Sequence, residues 1–373
     1  MTALNRRALM TGVLTVGGCA AAPTWARQSG GPDAALEAAM TVAGAPPAMA
    51  AGIVTREALE WSGVRGERQV GGTEAAGEDR WHIGSNTKAM TAAVFARLVE
   101  RGQADWTAPL GDIFTGVAID PAFGATTPDD LARHVAGLTD QTALVPPIVA
   151  RADTRPMVEQ RAAQVESALG KPPGGTPGWF AYGNINYVLL GAAIERITGR
   201  PWEEIIAAEV FMPLGLSSAG LGAPRFDASG MGNAWGHRGP PEARIAVDPA
   251  TPGADNPPIL GPAGTAHMTL NDYARWLQVM IGGEQRWLSA ESLRGLVTPR
   301  DGQSYSRGWI ARPEAWAGGT TTIAHEGSNT LWHAIAVASP EKGLGFFVLS
   351  NGGIQGRAAA VPLIQRLIAE RTA

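Results

Sequence analysis

The hydrophobic pattern divides the chain into strand-like ends and a helical middle. Residues 47–54 and 58–64 are apolar runs joined by a short polar turn, which predicts two strands. Apolar residues then recur at spacings of three and four after Ser85 and over 185–198, as in helices that bury one face. Strand-like runs return only near the C-terminus, at 305–312, 320–325, 331–339 and 343–350.

Strands at both ends of the chain predict one antiparallel sheet built from the N- and C-terminal segments and flanked by helices. The last two strands form a predicted hairpin around 340–343, and a helix of about 361–371 closes the chain with Pro362 in its first turn. The expected fold class is therefore α/β (α+β), in a single domain of residues 33–373. Residues of about 105–260 are expected to form an inserted, all-helical lobe.

Residues 1–26 have the composition of an export signal. Arg6 and Arg7 precede an apolar stretch that is too short to span a bilayer, and small residues follow at 24–26. The paired arginines resemble a twin-arginine signal. The residues around Cys19 weakly resemble a lipoprotein cleavage box, and membrane attachment is expected only if Cys19 is lipidated. We therefore expect an exported protein, periplasmic or extracellular.

Charge and composition exclude several classes of protein. A net charge of −4 without a long basic run argues against a nucleic-acid partner. The single cysteine excludes an internal disulfide and a cysteine-based zinc site, and the histidines form no His-Glu-x-x-His motif. Neither a metal nor a cofactor is expected. Only three lysines occur, at positions 88, 171 and 342, so a retained lysine can indicate a group that must lose its proton.

The clearest candidate for chemistry is Ser85-Asn86-Thr87-Lys88, where a loop becomes a helix. Residues three apart share a helix face, so the Lys88 amine can reach the Ser85 hydroxyl and accept its proton. The helix N-terminus disfavours the ammonium form and can stabilise an oxyanion. A second Ser-x-x-Lys, at 339–342, lies in the predicted hairpin turn with a proline inside it, so it is not expected to be functional.

Two further motifs follow in the chain. Tyr182-Gly183-Asn184 precedes a predicted helix, where a phenol beside a lysine can pass a proton to a leaving group and an amide can hold a substrate carbonyl. A helix-capping or packing tyrosine is the alternative interpretation. His325-Glu326-Gly327 closes a late strand, and its alternative is a loop histidine without a role.

In this order the three motifs resemble the serine β-lactamase and penicillin-binding family. Within it, the chain is most similar to the branch of class C β-lactamases, D-alanyl-D-alanine carboxypeptidases, D-aminopeptidases and family VIII esterases. The stretches that carry the resemblance are 83–88, 131–138, 182–191, 213–216 and 325–329.

The resemblance implies a role for each motif residue. Ser85 would attack the acyl carbon, Lys88 with Tyr182 would accept its proton, and Tyr182 would protonate the leaving group. The resemblance also implies that the backbone N–H groups of Ser85 and Ser328 form the oxyanion hole. Asn184, His325 and Gly327 would bind the substrate.

One departure from the family affects the expected substrate. Many relatives have Lys-Thr-Gly as the third motif, whereas here His325 replaces the lysine and Glu326 replaces the hydroxyl residue. If Glu326 points into the site, its carboxylate would repel a substrate carboxylate. That favours esters or D-amino-acid amides and peptides, including peptidoglycan fragments, over the substrates of a β-lactamase or D-Ala-D-Ala carboxypeptidase.

Three alternative interpretations compete with this one. A D-Ala-D-Ala carboxypeptidase or β-lactamase is the enzymatic alternative. A non-catalytic peptidoglycan-binding or sensor protein is the alternative from another class. An α/β-hydrolase is set aside, because no serine has glycine at both −2 and +2.

Overall fold

The computed structural model describes residues 30–225, 233–283 and 287–373. The predicted export signal of residues 1–26, with Cys19, lies outside the described residues. No helix within the described ranges is both long and apolar enough to cross a membrane.

The strands in the described part of the chain are, in chain order, β1 (Ala48–Thr55), β2 (Leu59–Gly66), β3 (Arg80–His82), β4 (Gly220–Leu221), β5 (His237–Arg238), β6 (Ile245–Ala246), β7 (Ala266–Thr269), β8 (Ile310–Pro313), β9 (Thr321–Ser328), β10 (His333–Ser339) and β11 (Leu344–Ser350). The largest sheet among them has six strands in the order β2-β1-β11-β10-β9-β8. Its strands β1 and β2 come from the N-terminal part and the other four from the C-terminal part, and β1 pairs antiparallel with β11. The predicted fold class is therefore confirmed.

The helices in the described part of the chain are α1 (Gly31–Met40), α2 (Thr87–Glu100), α3 (Leu110–Ile113), α4 (Pro128–Ala132), α5 (Asp140–Ala143), α6 (Pro147–Ala152), α7 (Met157–Leu169), α8 (Asn184–Thr198), α9 (Trp202–Ile206), α10 (Gly261–Gly264), α11 (Leu270–Met280), α12 (Ala290–Val297) and α13 (Arg357–Thr372). They cover both faces of the six-stranded sheet, which is why β10 and β11 are buried along their whole length. The first and last helices, α1 and α13, pack on one face, and most of the other helices form the larger core on the other face.

Helix α2 is central to the larger core. Residues from Thr87 to Ala96 are buried, because α8, α10 and α12 all pack against this helix. A helix that is apolar on nearly all sides must be enclosed by other elements. Its first turn is consequently held in a fixed position relative to the sheet.

Three local predictions were wrong. The strand expected at 305–312 begins only at Ile310, because Gly308, with φ of +93°, turns the chain against the backbone of Ala89. Helix α13 begins at Arg357, so Pro362 lies inside it and not in its first turn. The segment expected to be all-helical also holds β4, which pairs with β7, and the short pair β5 and β6.

Candidate active site

Ser85 lies in a single 3₁₀ turn, Gly84–Asn86, that leads directly into α2. Gly84 has φ of +53°, a conformation that side chains disfavour. A Cβ atom at Gly84 would lie 2.3 Å from the backbone nitrogen of Ser328. Glycine is required here because the turn that carries Ser85 packs directly on the end of β9.

Gly327 makes the same contact from the other side. A Cβ atom there would lie 2.1 Å from the carbonyl oxygen of Ile83 and 2.6 Å from the backbone nitrogen of Ser85. The two glycines thus allow backbone to meet backbone between the turn and β9. This packing brings the backbone nitrogens of Ser85 and Ser328, the predicted oxyanion-hole donors, into the same region of the structure.

Lys88 is fully buried and contacts three oxygen atoms. Its Nζ lies 3.1 Å from Ser85 Oγ, 2.8 Å from Asn184 Oδ1 and 2.6 Å from the carbonyl oxygen of Ala263. Burial lowers the pKa of Lys88 to about 7, although the Asp140 carboxylate opposes the shift. A neutral amine can donate to the two carbonyl oxygens and turn its lone pair towards Ser85.

Tyr182 faces the same pair of residues. Its ring centroid lies 5.0 Å from Lys88 Nζ, and the Ser85 side chain is near enough to lower the pKa of its phenol slightly. Burial raises the pKa of Tyr182 above its usual value, so the phenol keeps its proton at neutral pH. The structure therefore brings together Ser85, Lys88, Tyr182 and Asn184, which the sequence placed in two separate motifs.

Asp140 is a site residue that the sequence analysis missed. Its Oδ2 accepts a hydrogen bond from Asn184 Nδ2 at 3.1 Å, and its Oδ1 accepts one from the backbone N–H of Ile185 at 2.9 Å. The carboxylate caps α8 and fixes the Asn184 amide with its oxygen towards Lys88. A cap supplied from 44 residues earlier in the chain leaves no signal in the local sequence.

We expect Asp140→Asn to lower kcat/KM by on the order of tenfold or more while the protein remains folded. The new amide donates where the carboxylate accepted, which turns the N–H₂ group of Asn184 towards Lys88. Loss of the negative charge also lowers the pKa of Lys88, so the acid limb of the pH–rate profile should move to lower pH.

Asp120→Asn is the matched control. Like Asp140, Asp120 is a capping aspartate: it accepts a hydrogen bond from the N–H of Ala122 at the start of a short helical turn. Steady-state rates between pH 5 and 9 would be compared for both variants. An Asp140→Asn enzyme with wild-type rates and an unmoved acid limb would refute the positioning role.

His134 supports Tyr182 from behind. It is buried with φ of +59°, and its ring centroid lies 4.4 Å from that of Tyr182 and 4.8 Å from that of Tyr305. Its Nδ1 accepts a hydrogen bond from the backbone N–H of Gly183 at 3.4 Å. Burial holds the pKa of His134 well below its usual value, so the ring is neutral. It packs against Tyr182 and helps to fix the loop that carries this tyrosine. His134 lies in the stretch 131–138 that carries the family resemblance, but the sequence predicts no role for it.

Glu326 does not point into the site. Successive side chains of a strand face opposite sides of the sheet, so His325 faces Tyr182 whereas Glu326 faces α13. Its carboxylate accepts hydrogen bonds from Arg357 at 2.7 Å and from His333 at 3.1 Å. Burial alone would raise the pKa of Glu326, but these two partners outweigh it and hold the pKa at about 2. The condition for a repulsion between Glu326 and a substrate carboxylate is therefore not met.

The second Ser-x-x-Lys forms no comparable pair. Ser339 is buried at the end of β10, and its Oγ accepts a hydrogen bond from the backbone N–H of Lys342 at 3.2 Å. The Lys342 side chain is exposed in the β10–β11 turn. Within the described residues, no group of three or more His, Cys, Asp or Glu could hold a metal ion.

An antiparallel sheet with a Ser-Lys pair packed on the end of an inner strand, faced by Tyr-x-Asn, defines a class of serine hydrolases. The chain belongs to the β-lactamase family, because the family model described as Beta-lactamase matches residues 33–369. This membership confirms the resemblance drawn from the motifs.

Individual relatives are distant. The chain is 24% identical over 321 residues to unguisins hydrolase ungD' of Aspergillus campestris, covering 82% of this chain and 54% of that protein. It is 31% identical over 150 residues to Esterase/beta-lactamase LipL of Mycobacterium tuberculosis, covering 39% of this chain and 32% of that protein. The chain thus spans about half, or less, of the length of these curated relatives.

Among solved structures, D-amino acid amidase from Ochrobactrum anthropi SV3 superposes with a TM-score of 0.70. The alignment covers 91% of this chain and 98% of that one at 19% identity. At this identity the likeness shows the shared fold.

Proposed function

We propose that this protein hydrolyses small carboxylic esters or D-amino-acid amides and peptides through an acyl-enzyme on Ser85. The observation that carries the proposal is the buried Lys88 amine, 3.1 Å from Ser85 Oγ, with its other contacts made to carbonyl oxygens. That arrangement favours a neutral amine whose lone pair meets the hydroxyl proton.

In the acylation step, Lys88 takes the Ser85 proton as Ser85 Oγ forms a bond to the acyl carbon. The carbonyl oxygen becomes an oxyanion and accepts hydrogen bonds from the backbone N–H groups of Ser85 and Ser328. Tyr182 donates its proton to the leaving oxygen or nitrogen as the bond to the acyl carbon breaks, and the Lys88 ammonium restores the proton of the phenol. Asn184 holds the acyl group beside Lys88.

Deacylation uses the same groups. Water attacks the acyl carbon and gives its proton to the Lys88–Tyr182 pair. The bond between the acyl carbon and Ser85 Oγ then breaks, and Ser85 recovers a proton as the acid leaves. The water-derived oxygen remains with the carboxylic acid.

The names of two similar proteins support the substrate class, since one is an esterase/β-lactamase and the other a D-amino acid amidase. Peptidoglycan fragments with D-amino acids fall within that class. A D-Ala-D-Ala carboxypeptidase or β-lactamase is the second candidate, and a peptidoglycan-binding or sensor protein without turnover is the third. Export to the periplasm or cell exterior is proposed from the Arg6-Arg7 signal alone.

The test is to quench the mature protein during turnover of p-nitrophenyl acetate or butyrate and to map the acyl adduct by peptide mass spectrometry. The adduct should lie on the peptide that contains Ser85 and should be absent from the Ser85→Ala variant. Nitrophenolate release with the acyl group on another residue, or a Ser85→Ala variant that turns over normally, would disprove the proposal. A stable adduct without turnover would favour the binding or sensor protein.

A further inference from the structure

Both ring nitrogens of His325 are occupied by the protein itself. Nδ1 lies 2.6 Å from the carbonyl oxygen of Glu326, and Nε2 lies 3.0 Å from the Tyr305 hydroxyl. A carbonyl oxygen can only accept, so Nδ1 carries the proton of the neutral ring. Nε2 is then the acceptor, and the Tyr305 hydroxyl donates to it.

The imidazole ring of His325 is also uncharged. His325 is buried, and burial together with the Lys88 charge lowers its pKa to about 3. In Lys-Thr-Gly relatives, a lysine cation stands at this place in the motif. Here the position offers a substrate neither a positive charge nor a free N–H.

The cations on neighbouring elements already have partners within the protein. Arg307 pairs with Asp129 at 2.6 Å, a carboxylate that Arg133 and Arg300 also contact, and Arg312 pairs with Glu314 at 2.8 Å. Arg357, on the opposite face of β9, pairs with Glu326 at 2.7 Å. Lys88 is enclosed by Ser85, Asn184 and Ala263. Arg307, Arg312, Arg357 and Lys88 are therefore all held by partners other than a substrate.

His325 lies near Tyr182, the residue proposed to protonate the leaving group. The centroids of the two rings are 6.2 Å apart. A leaving group within reach of the Tyr182 hydroxyl is therefore close to the His325–Tyr305 pair. A carboxylate held there would lose its hydration and gain no partner.

We propose that the His325–Tyr305 pair is a specificity determinant that restricts the enzyme to substrates whose leaving group carries no carboxylate. This inference rests on the proposed function and narrows it. It favours neutral esters, amides and internal or amidated peptides over peptides that end in a free D-alanine.

The test uses two substrates that differ at one group, the acetyl esters of 3-hydroxybenzamide and of 3-hydroxybenzoate. We expect kcat/KM for the neutral ester to exceed that for the carboxylate ester by on the order of tenfold or more. His325→Lys should reduce or reverse the ratio of kcat/KM between the neutral ester and the carboxylate ester. His325→Met, which matches lysine in length but has no charge, should retain the preference.

The outcomes separate this inference from the proposed function. A wild-type protein without Ser85-dependent release from p-nitrophenyl acetate would contradict the proposed function itself. If p-nitrophenyl acetate is hydrolysed, three results with the two test esters would overturn only the inference. These results are equal rates for the two esters, a faster rate for the carboxylate ester, and hydrolysis of neither ester. A wild-type preference that a folded His325→Lys variant keeps in full would remove His325 as its cause.

Discussion

Replacing Lys88 with methionine is expected to lower kcat/KM for ester hydrolysis by on the order of a thousandfold, because the amine proposed as the base for Ser85 is lost. Methionine has nearly the length of lysine and suits a buried position, so the main loss is that of the amine. Two carbonyl oxygens, of Asn184 and Ala263, would lose their donor. We expect that loss to lower the free energy of unfolding by about 1–3 kcal/mol for each group.

The pH dependence provides an independent check on Lys88. Its pKa is lowered to about 7, so the amine is neutral and active above that pH and protonated below it. In the wild-type protein, kcat/KM should fall about tenfold per pH unit below the pKa of Lys88. The residual activity of Lys88→Met should not show this fall at low pH. A wild-type rate that stays level down to pH 5 would exclude Lys88 as the base.

Lys342→Met is the matched control, because Lys342 belongs to the second Ser-x-x-Lys and is exposed. Its rates should equal those of the wild type. Thermal unfolding of both variants would separate lost chemistry from lost fold. A similar fall in the rates of both variants would show that the effect is not specific to the Ser85–Lys88 pair.

The Gly327→Ala variant should lose on the order of a hundredfold or more in kcat. The new methyl group would overlap the carbonyl oxygen of Ile83 and the backbone nitrogen of Ser85, at 2.1 and 2.6 Å. Both neighbours are backbone atoms, so the contact is relieved only if β9 moves away from the Ser85 turn. That movement separates the N–H groups of Ser85 and Ser328 that would share the oxyanion.

Gly345→Ala is the control for this experiment. Gly345 is buried in β11 of the same sheet, but a Cβ atom there meets Ala338 at 3.4 Å, an ordinary contact. Its activity should remain within a few-fold of wild type. Steady-state kinetics and thermal unfolding would be measured for both variants. Equal activities in the two would show that the approach of β9 to Ser85 has no catalytic importance.

The sequence predicted the main elements of the fold because their signals are local. Alternating or continuous apolar runs marked β1, β2, β10 and β11, and the stripe of 185–198 marked α8 to within one residue. The errors arose where tertiary packing overrode a local rule. Pro362 was placed in a first turn, yet α13 begins five residues earlier because Ala359 and Ala360 are buried against the sheet.

Part of the candidate site could also be predicted from local signals in the sequence. Ser85 lies in the 3₁₀ turn that continues into α2, and Lys88 lies three residues later in the first turn of α2. Local helical geometry therefore places the amine beside the hydroxyl. The order of the motifs likewise identified the family, because it depends on residue types and not on contacts.

Only the tertiary structure decided the orientation and charge of the remaining groups. Asp140 reaches Asn184 from another helix, and Tyr305 reaches His325 from a loop 20 residues away. Glu326 faces Arg357 because of the pleat of β9, which no motif records. Hydrogen-bond partners and burial determine which groups are charged, and both depend on residues that are distant in sequence and meet only in the folded protein.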